Sequence, residues 1–307
     1  MKRWLRRFAL HGDVWLRYLD LGVLICPWFL EPIFVTACAA SFYALCVPQR
    51  RALLANMAVL FPGENGWQRH VRAFRVVRDF AWVLTDSARV RSGDDVIDWE
   101  VEGVEYLNQL GAHPGGALIL TAHMGSYDLA GQLFADRLQR PLHIVRVPER
   151  HAESQTYAAD ARHSHPSGQF IVHYNQPGNM LAVELTRLLA DGEVVAIQGD
   201  RILFDVAPEN LDFCEGYQWR LPKGPFLLGV VSRCPVFPLF IARVGWRRYR
   251  ITAGPPFECP EGRFDKNDWR QRMASWWSTQ LAAAVRTHWR QWFVFEPAFV
   301  AKPEPTP

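Results

Sequence analysis

The stretch GALILTAHMGSYDLAGQLFADRL, residues 116–138, opens with an apolar run and closes with an amphipathic one. GALILTA reads as a short strand buried on both faces, and SYDLAGQLFADRL as the helix that follows it. Between them lie His123 and Asp128. At 3.6 residues per turn, positions i and i+5 point about 140° apart on a helix. The two side chains therefore meet only if His123 sits on the loop and Asp128 in the first helical turn. Gly125 supplies the backbone freedom that such a turn needs.

Outward from this unit the pattern repeats. LHIVRVP, EVVAIQGD, PVFPLFIARV and RRYRITAG read as further strands, while NMLAVELTRLLADG and LPKGPFLLGVVSRC read as helices between them. WEVEGVEYLNQL adds a strand and a helix. Short apolar strands alternating with helices predict an α/β fold, a largely parallel central sheet flanked by helices. Before the sheet, residues 48–95 read as two helices split by PGENG, and residues 267–292 read as one long closing helix.

Residues 21–47 are apolar apart from Glu31. Pro27 and Pro32 break this run into two short helices or one kinked helix. Lys2, Arg3, Arg6, Arg7 and Arg17 precede it and Arg50 and Arg51 follow. Basic residues at both ends favour a hairpin or re-entrant hydrophobic anchor with both ends cytoplasmic. The run is too long and too interrupted for a cleaved signal peptide. A buried helix pair in a soluble protein is the competing reading. The expected organisation is an N-terminal membrane-anchoring helical segment over 1–50, a catalytic domain over 51–300 and a flexible tail over 301–307.

A net charge of +3 over 307 residues gives no electrostatic footprint for nucleic acid. The six cysteines form no CxxC pair, and three lie inside the apolar run, as in a reduced, cytosol-facing protein. His151, His163, His165 and His173 share a polar stretch with Glu149, Glu153 and Asp160, but their spacing matches no tetrahedral metal site. Trp246, Arg247, Arg248, Tyr249 and Arg250 form a basic aromatic segment. It reads either as a solvated hairpin or as a contact for anionic headgroups or an acidic carrier protein.

In open α/β sheets, ligands bind beyond the carboxyl ends of strands. His123, Arg146, Gln198, Asp200 and Arg201 all fall at such ends. A neutral imidazole is a suitable general base near neutral pH, and a carboxylate behind it fixes its tautomer. There is no GxSxG elbow, so the base would act on a substrate hydroxyl. That suits direct transfer of an acyl group from a thioester to an alcohol. Arg146 and Arg201 could bind a phosphate or stabilise the developing oxyanion. A thioesterase or lipid hydrolase with the same pair, and a non-catalytic lipid-binding membrane protein, are the alternatives.

The residues His123-Met-Gly-Ser-Tyr-Asp128 resemble the HX4D/E motif of the bacterial lipid A biosynthesis (lauroyl/myristoyl) acyltransferases, in the lysophospholipid acyltransferase-like superfamily. Further segments are similar to that family in the same order: IVRVPER (144–150), LADGEVVAIQGDR (189–201), LPKGPFLLGVVSRCPVFPLF (221–240) and HWRQWFVFEPAF (288–299). With the apolar N-terminus, the resemblance runs over nearly the whole chain. It implies an acyl-acyl carrier protein donor, a lipid or glycolipid hydroxyl acceptor, and a place on the cytoplasmic face of the inner membrane. No metal or organic cofactor is implied. His123 would be the base and Asp128 its partner, with Arg146, Asp200, Arg201 and Gly125 serving the substrate. The chain departs from the family at Asp128, where many members have Glu, and at Val145, at Trp289-Arg290 and in the QGDR segment. These departures bear on the acceptor more than on the reaction.

Overall fold

The computed structural model describes residues 21–23, 25–93, 97–126, 129–130, 140–146, 170–176, 180–202 and 208–303. After helical residues at 21–23, three longer helices follow: α1 (Glu31–Leu45), α2 (Val47–Leu60) and α3 (Gly66–Arg91). The α3 N-terminus is closed by a capping box in which the Asn65 side chain accepts from the Gln68 backbone and the Gln68 side chain accepts from the Asn65 backbone. The sheet-forming part then runs β1 (Asp98–Glu102), α4 (Val104–Ala112), β2 (Ala117–Thr121), β3 (Leu142–Arg146), β4 (Phe170–Tyr174), α5 (Leu181–Ala190) and β5 (Val194–Gln198). After it come β6 (Pro208–Cys214), β7 (Tyr217–Pro222), α6 (Lys223–Ser232), β8 (Val236–Gly245), β9 (Arg248–Ala253), α7 (Lys266–His288), a single 3₁₀ turn (Trp289–Gln291) and β10 (Phe299–Ala301).

The main sheet has seven strands in the order β1-β9-β8-β2-β5-β3-β4. Strands β8, β2, β5, β3 and β4 are parallel to one another; β9 runs antiparallel to β8, and β1 parallel to β9. The largely parallel sheet expected from the sequence is therefore present, with a reversed edge formed by β9 and β1. A second, antiparallel sheet, β10-β7-β6, falls where no strand was expected. Its segments PENLDFC and YQWRLP mix polar and apolar residues because only one face packs inward. The strand FIVHY, inside the stretch read as polar, was likewise not anticipated.

Side chains alternate between the two faces of the sheet. Ala117, Ile119 and Val194 enter a core shared with α1, α2, α3 and α4. Leu118, Leu120 and Val195 enter a second core with α5, α6 and α7, where Trp219, Trp277 and Trp292 are fully buried. This two-sided burial is why β2 reads as a continuous apolar run rather than an alternating one. The closing helix ends at His288, four residues before the expected end, and passes into the 3₁₀ turn.

At the N-terminus, Val35 and Ala39 of α1 are buried in the α3-side core, so this helix is built into the domain on one face. Pro32 sits in its first turn. No single helix among the described residues is long and apolar enough to cross a membrane. Glu31–Leu45 and Val47–Leu60 pass that test only together, and they meet at 93°.

Candidate functional site

The register of two neighbouring strands builds the site. Thr121, the last residue of β2, pairs with Gln198, the last residue of β5. The Gly199 N–H extends this ladder by donating to the Thr121 carbonyl at 2.8 Å. Two residues beyond the paired positions come His123 on one strand and Asp200 on the other. They meet at the carboxyl edge of the sheet.

His123 Nδ1 lies 2.7 Å from Asp200 Oδ1, and the His123 backbone N–H donates to Oδ2 at 2.9 Å. The Trp292 indole N–H donates to the same Oδ2 at 3.0 Å. Asp200 is completely buried, while 12% of the His123 side chain remains accessible. Burial pushes the Asp200 carboxyl up, but the His123 charge and the hydrogen bonds from His123 and Trp292 outweigh it. The net effect holds Asp200 below its ordinary value. With an ionised Asp200 accepting from Nδ1–H, Nε2 carries the lone pair of the neutral ring.

His123 lies off any helix, as its spacing from Asp128 demands. The Met124 N–H donates back to the Ala122 carbonyl at 2.7 Å, which makes a γ-turn centred on the histidine. Gly125 follows with φ +56°, and a Cβ on it would come within 2.4 Å of the Ile241 carbonyl oxygen on β8. Both the left-handed backbone and the close approach require glycine. Tyr127 and Asp128, the remainder of the motif, lie outside the described residues.

The chain's closing segment clamps this loop. Phe293 N–H donates to the His123 carbonyl at 2.7 Å, and Gly125 N–H to the Gln291 carbonyl at 3.2 Å. The side chains of Arg290 and Gln291 both donate to Asp79 on α3, at 2.8 and 3.1 Å. From α7, the Trp277 indole donates to the Gly199 carbonyl at 2.8 Å, so a second tryptophan fixes the segment that carries Asp200. A Cβ on Gly199 would sit 3.0 Å from the Trp277 indole nitrogen, so a larger residue there would press on this tryptophan.

The other expected site residues divide. Arg146 ends β3 at the same edge; its register places it level with Gln198, so it lies two strands from β2, about 10 Å across the sheet. Arg201 follows Asp200 directly but is paired with Glu296 at 3.3 Å. The Thr121 hydroxyl and the Gln198 amide nitrogen, at the last rung beneath the His123–Asp200 pair, are buried with no hydrogen-bond partner among the described residues. Sequence reasoning placed Asp200 near the substrate and missed its contact with His123. It also missed Trp292 and Asp79. The closing HWRQW segment was the available signal, because a Trp and a Gln side by side bring two side-chain donors to a buried site.

Of the histidine-rich stretch, only His173 lies within the described residues. It bonds His143 and Glu184 rather than joining a metal cluster, and among the described residues no group of three or more His, Cys, Asp or Glu could hold a metal. In the basic aromatic segment, Tyr249 is fully buried with its hydroxyl donating to Asp86 at 2.8 Å. Arg248 and Arg250 pair with Asp98, Glu100 and Glu102 on β1.

Residues 7–300 match the family model described as bacterial lipid A biosynthesis acyltransferase. The match covers almost the whole chain, and the chain belongs to this family. No curated protein matches the sequence closely enough to be a relative.

Proposed function

Taking membership of the bacterial lipid A biosynthesis acyltransferase family as the premise, we propose that the chain moves a fatty acyl group from an acyl-carrier-protein thioester to a hydroxyl of a lipid A-like or related lipid acceptor. The reaction takes place at the cytoplasmic face of the inner membrane. His123 is the general base. Its Nε2 takes the proton as the acceptor oxygen attacks the thioester carbonyl carbon. The C–S bond then breaks, and the imidazolium returns the proton to the leaving thiolate. Electrons and protons balance with no oxidant or reductant.

Asp200 holds the ring with Nδ1 protonated and stabilises the imidazolium as it forms. Asp128, the acidic position of the HX4D motif, is the competing candidate for this orienting role. Arg146 serves the anionic part of a substrate. The unpaired Thr121 hydroxyl and Gln198 amide each carry a desolvation cost of about 1–3 kcal/mol, which a substrate group would relieve.

The observation that carries this reading is the 2.7 Å contact between His123 and a wholly buried carboxylate at the carboxyl edge of the sheet. The test is mass spectrometry of products formed from isotope-labelled acyl-carrier protein and a membrane lipid extract. Labelled acyl lipid, lost on His123→Ala with folding retained, is the expected result. Release of free labelled fatty acid instead would make the protein a hydrolase. Undiminished transfer by His123→Ala would remove the proposed base.

A further inference from the structure

Three separate elements bring exposed apolar side chains to the edge that carries His123. The first is the β8–β9 hairpin. β8 is parallel to β2, so its end lies at the carboxyl edge; Trp246 and Arg247 form the turn, with Arg247 at φ +51°. Val244 and Trp246 are exposed there, Trp246 by 48%.

The second is the start of α1. Glu31 pairs with Arg89 near the end of α3, and Ser87 on that same end lies 3.3 Å from Ser126 in the His123 loop. Around Glu31, Trp28, Phe29 and Ile33 are all exposed, Trp28 by 74%. The third is the start of α5, which leaves the carboxyl edge after β4 and runs back along the sheet. Met180 and Val183 are exposed there, while Leu181, Leu185 and Leu189 face the core.

Charge decides what meets this rim. An acidic protein partner would need available cations at the hairpin. Arg248 and Arg250 are neutralised by Asp98, Glu100 and Glu102, and Arg243 is paired with Asp86 at 2.7 Å. Arg247 in the turn is half-buried with its guanidinium 6.0 Å from the Trp246 ring, and the apolar side chains exposed at the tip are Trp246 and Val244. Trp246 is braced edge-on against Trp82 of α3 at 5.1 Å between ring centroids. A rigid, half-exposed Trp at the level of other apolar side chains suits the interfacial layer of a bilayer.

We propose that the β8–β9 hairpin tip, with the starts of α1 and α5, is a bilayer-contacting rim that sets the His123 edge against the headgroup layer. The inference rests on the lipid-acceptor reading above, but its test does not require turnover. The hairpin contact is separate from the N-terminal apolar run. It orients the site, so that a lipid hydroxyl reaches His123 from the membrane side.

Trp67 is the internal control. It is exposed by 76%, but it lies in the first turn of α3, 20 residues and about 30 Å along the helix from Ser87 at the catalytic edge. The full chain carrying 5-fluorotryptophan is bound to phosphatidylethanolamine/phosphatidylglycerol vesicles. The Trp28, Trp67 and Trp246 resonances are assigned with single Trp→Phe variants. Adding a headgroup-region nitroxide lipid should broaden Trp246 and Trp28 and leave Trp67 sharp. Trp246→Ser should weaken vesicle binding about tenfold, and Trp67→Ser should not change it.

Equal broadening of Trp246 and Trp67 overturns the proposal. So does a Trp246 that stays open to a water-soluble relaxation agent on vesicles and is shielded only when acyl-carrier protein is added. That second outcome would give the surface to the donor protein. Protection of Trp246 by vesicles in a chain that fails the transfer assay would leave the rim in place and remove the functional reading alone.

Discussion

Among the described histidines with carboxylate neighbours, His123 and His143 sit in opposite settings. His123 lies just beyond the end of β2, on a loop, bonded to the wholly buried Asp200. His143 lies inside β3, with its side chain 6% accessible; its Nδ1 is 2.8 Å from His173 Nε2, and its Nε2 is 3.8 Å from Glu193. His173 in turn contacts Glu184 on α5 at 2.9 Å. The ingredients are alike, but the strand end separates them. Past the last rung, the His123 backbone N–H turns to Asp200, which thus holds both main chain and ring of one residue. Within the strand, the ring of His143 has only side-chain neighbours, and burial, with the His173 charge second, pushes its affinity for a proton down.

Substitutions can sharpen this contrast. The largest effect belongs to His123→Ala, which should cut acyl transfer by about 10³-fold at unchanged circular dichroism, within the range of a lost general base. Next is Asp200→Asn. Its amide nitrogen would confront donors that the carboxylate now accepts, so a loss of about 3 kcal/mol in urea unfolding and about 10²-fold in transfer is expected. Because Asp200 titrates below its ordinary value when folded, the stability it contributes is present above about pH 3.9 and is lost as pH falls through the folded value. The Asn variant should lack that acid-side decline. If Asp128→Asn abolishes transfer while Asp200→Asn leaves it intact, the orienting role passes to the motif aspartate.

A smaller effect is expected of Trp292→Phe, which removes one indole donor to a charged oxygen. It should cost about 1.5–3 kcal/mol in stability and lower kcat rather than raise KM, because the ring is less well held. The smallest belongs to His143. Its folded proton affinity is lowered, so stability is full above about pH 6.5 and declines as pH falls toward the folded value. The groups facing it are His173 on β4, Glu193 before β5 and Glu184 on α5. His143→Leu should flatten the thermal stability profile below about pH 6.5 and leave transfer unchanged. A flattened profile in His123→Ala but not in His143→Leu would reverse the comparison.

Much of the fold was legible from local pattern. The doubly buried run of β2, the helices split at PGENG and the parallel strands each carry their own periodicity. The small β10-β7-β6 sheet was not legible, because its strands are half exposed and their polar positions hide the alternation. The reversed edge was legible only as strands: RRYRITAG announces a strand, but whether it runs with or against β8 depends on the two-residue turn at Trp246 and Arg247.

By itself the sequence determined that His123 stands off a helix, that a glycine two residues later opens the turn, and that several polar groups end strands on one edge. These follow from spacing, side-chain size and backbone freedom within a dozen residues. Only the tertiary structure decided that Asp200, 77 residues away, is a carboxylate bonded to that histidine. The choice is made by the β2–β5 register and by tryptophans brought in from the far end of the chain. Strand pairing and indole donation across the fold leave no trace in local periodicity.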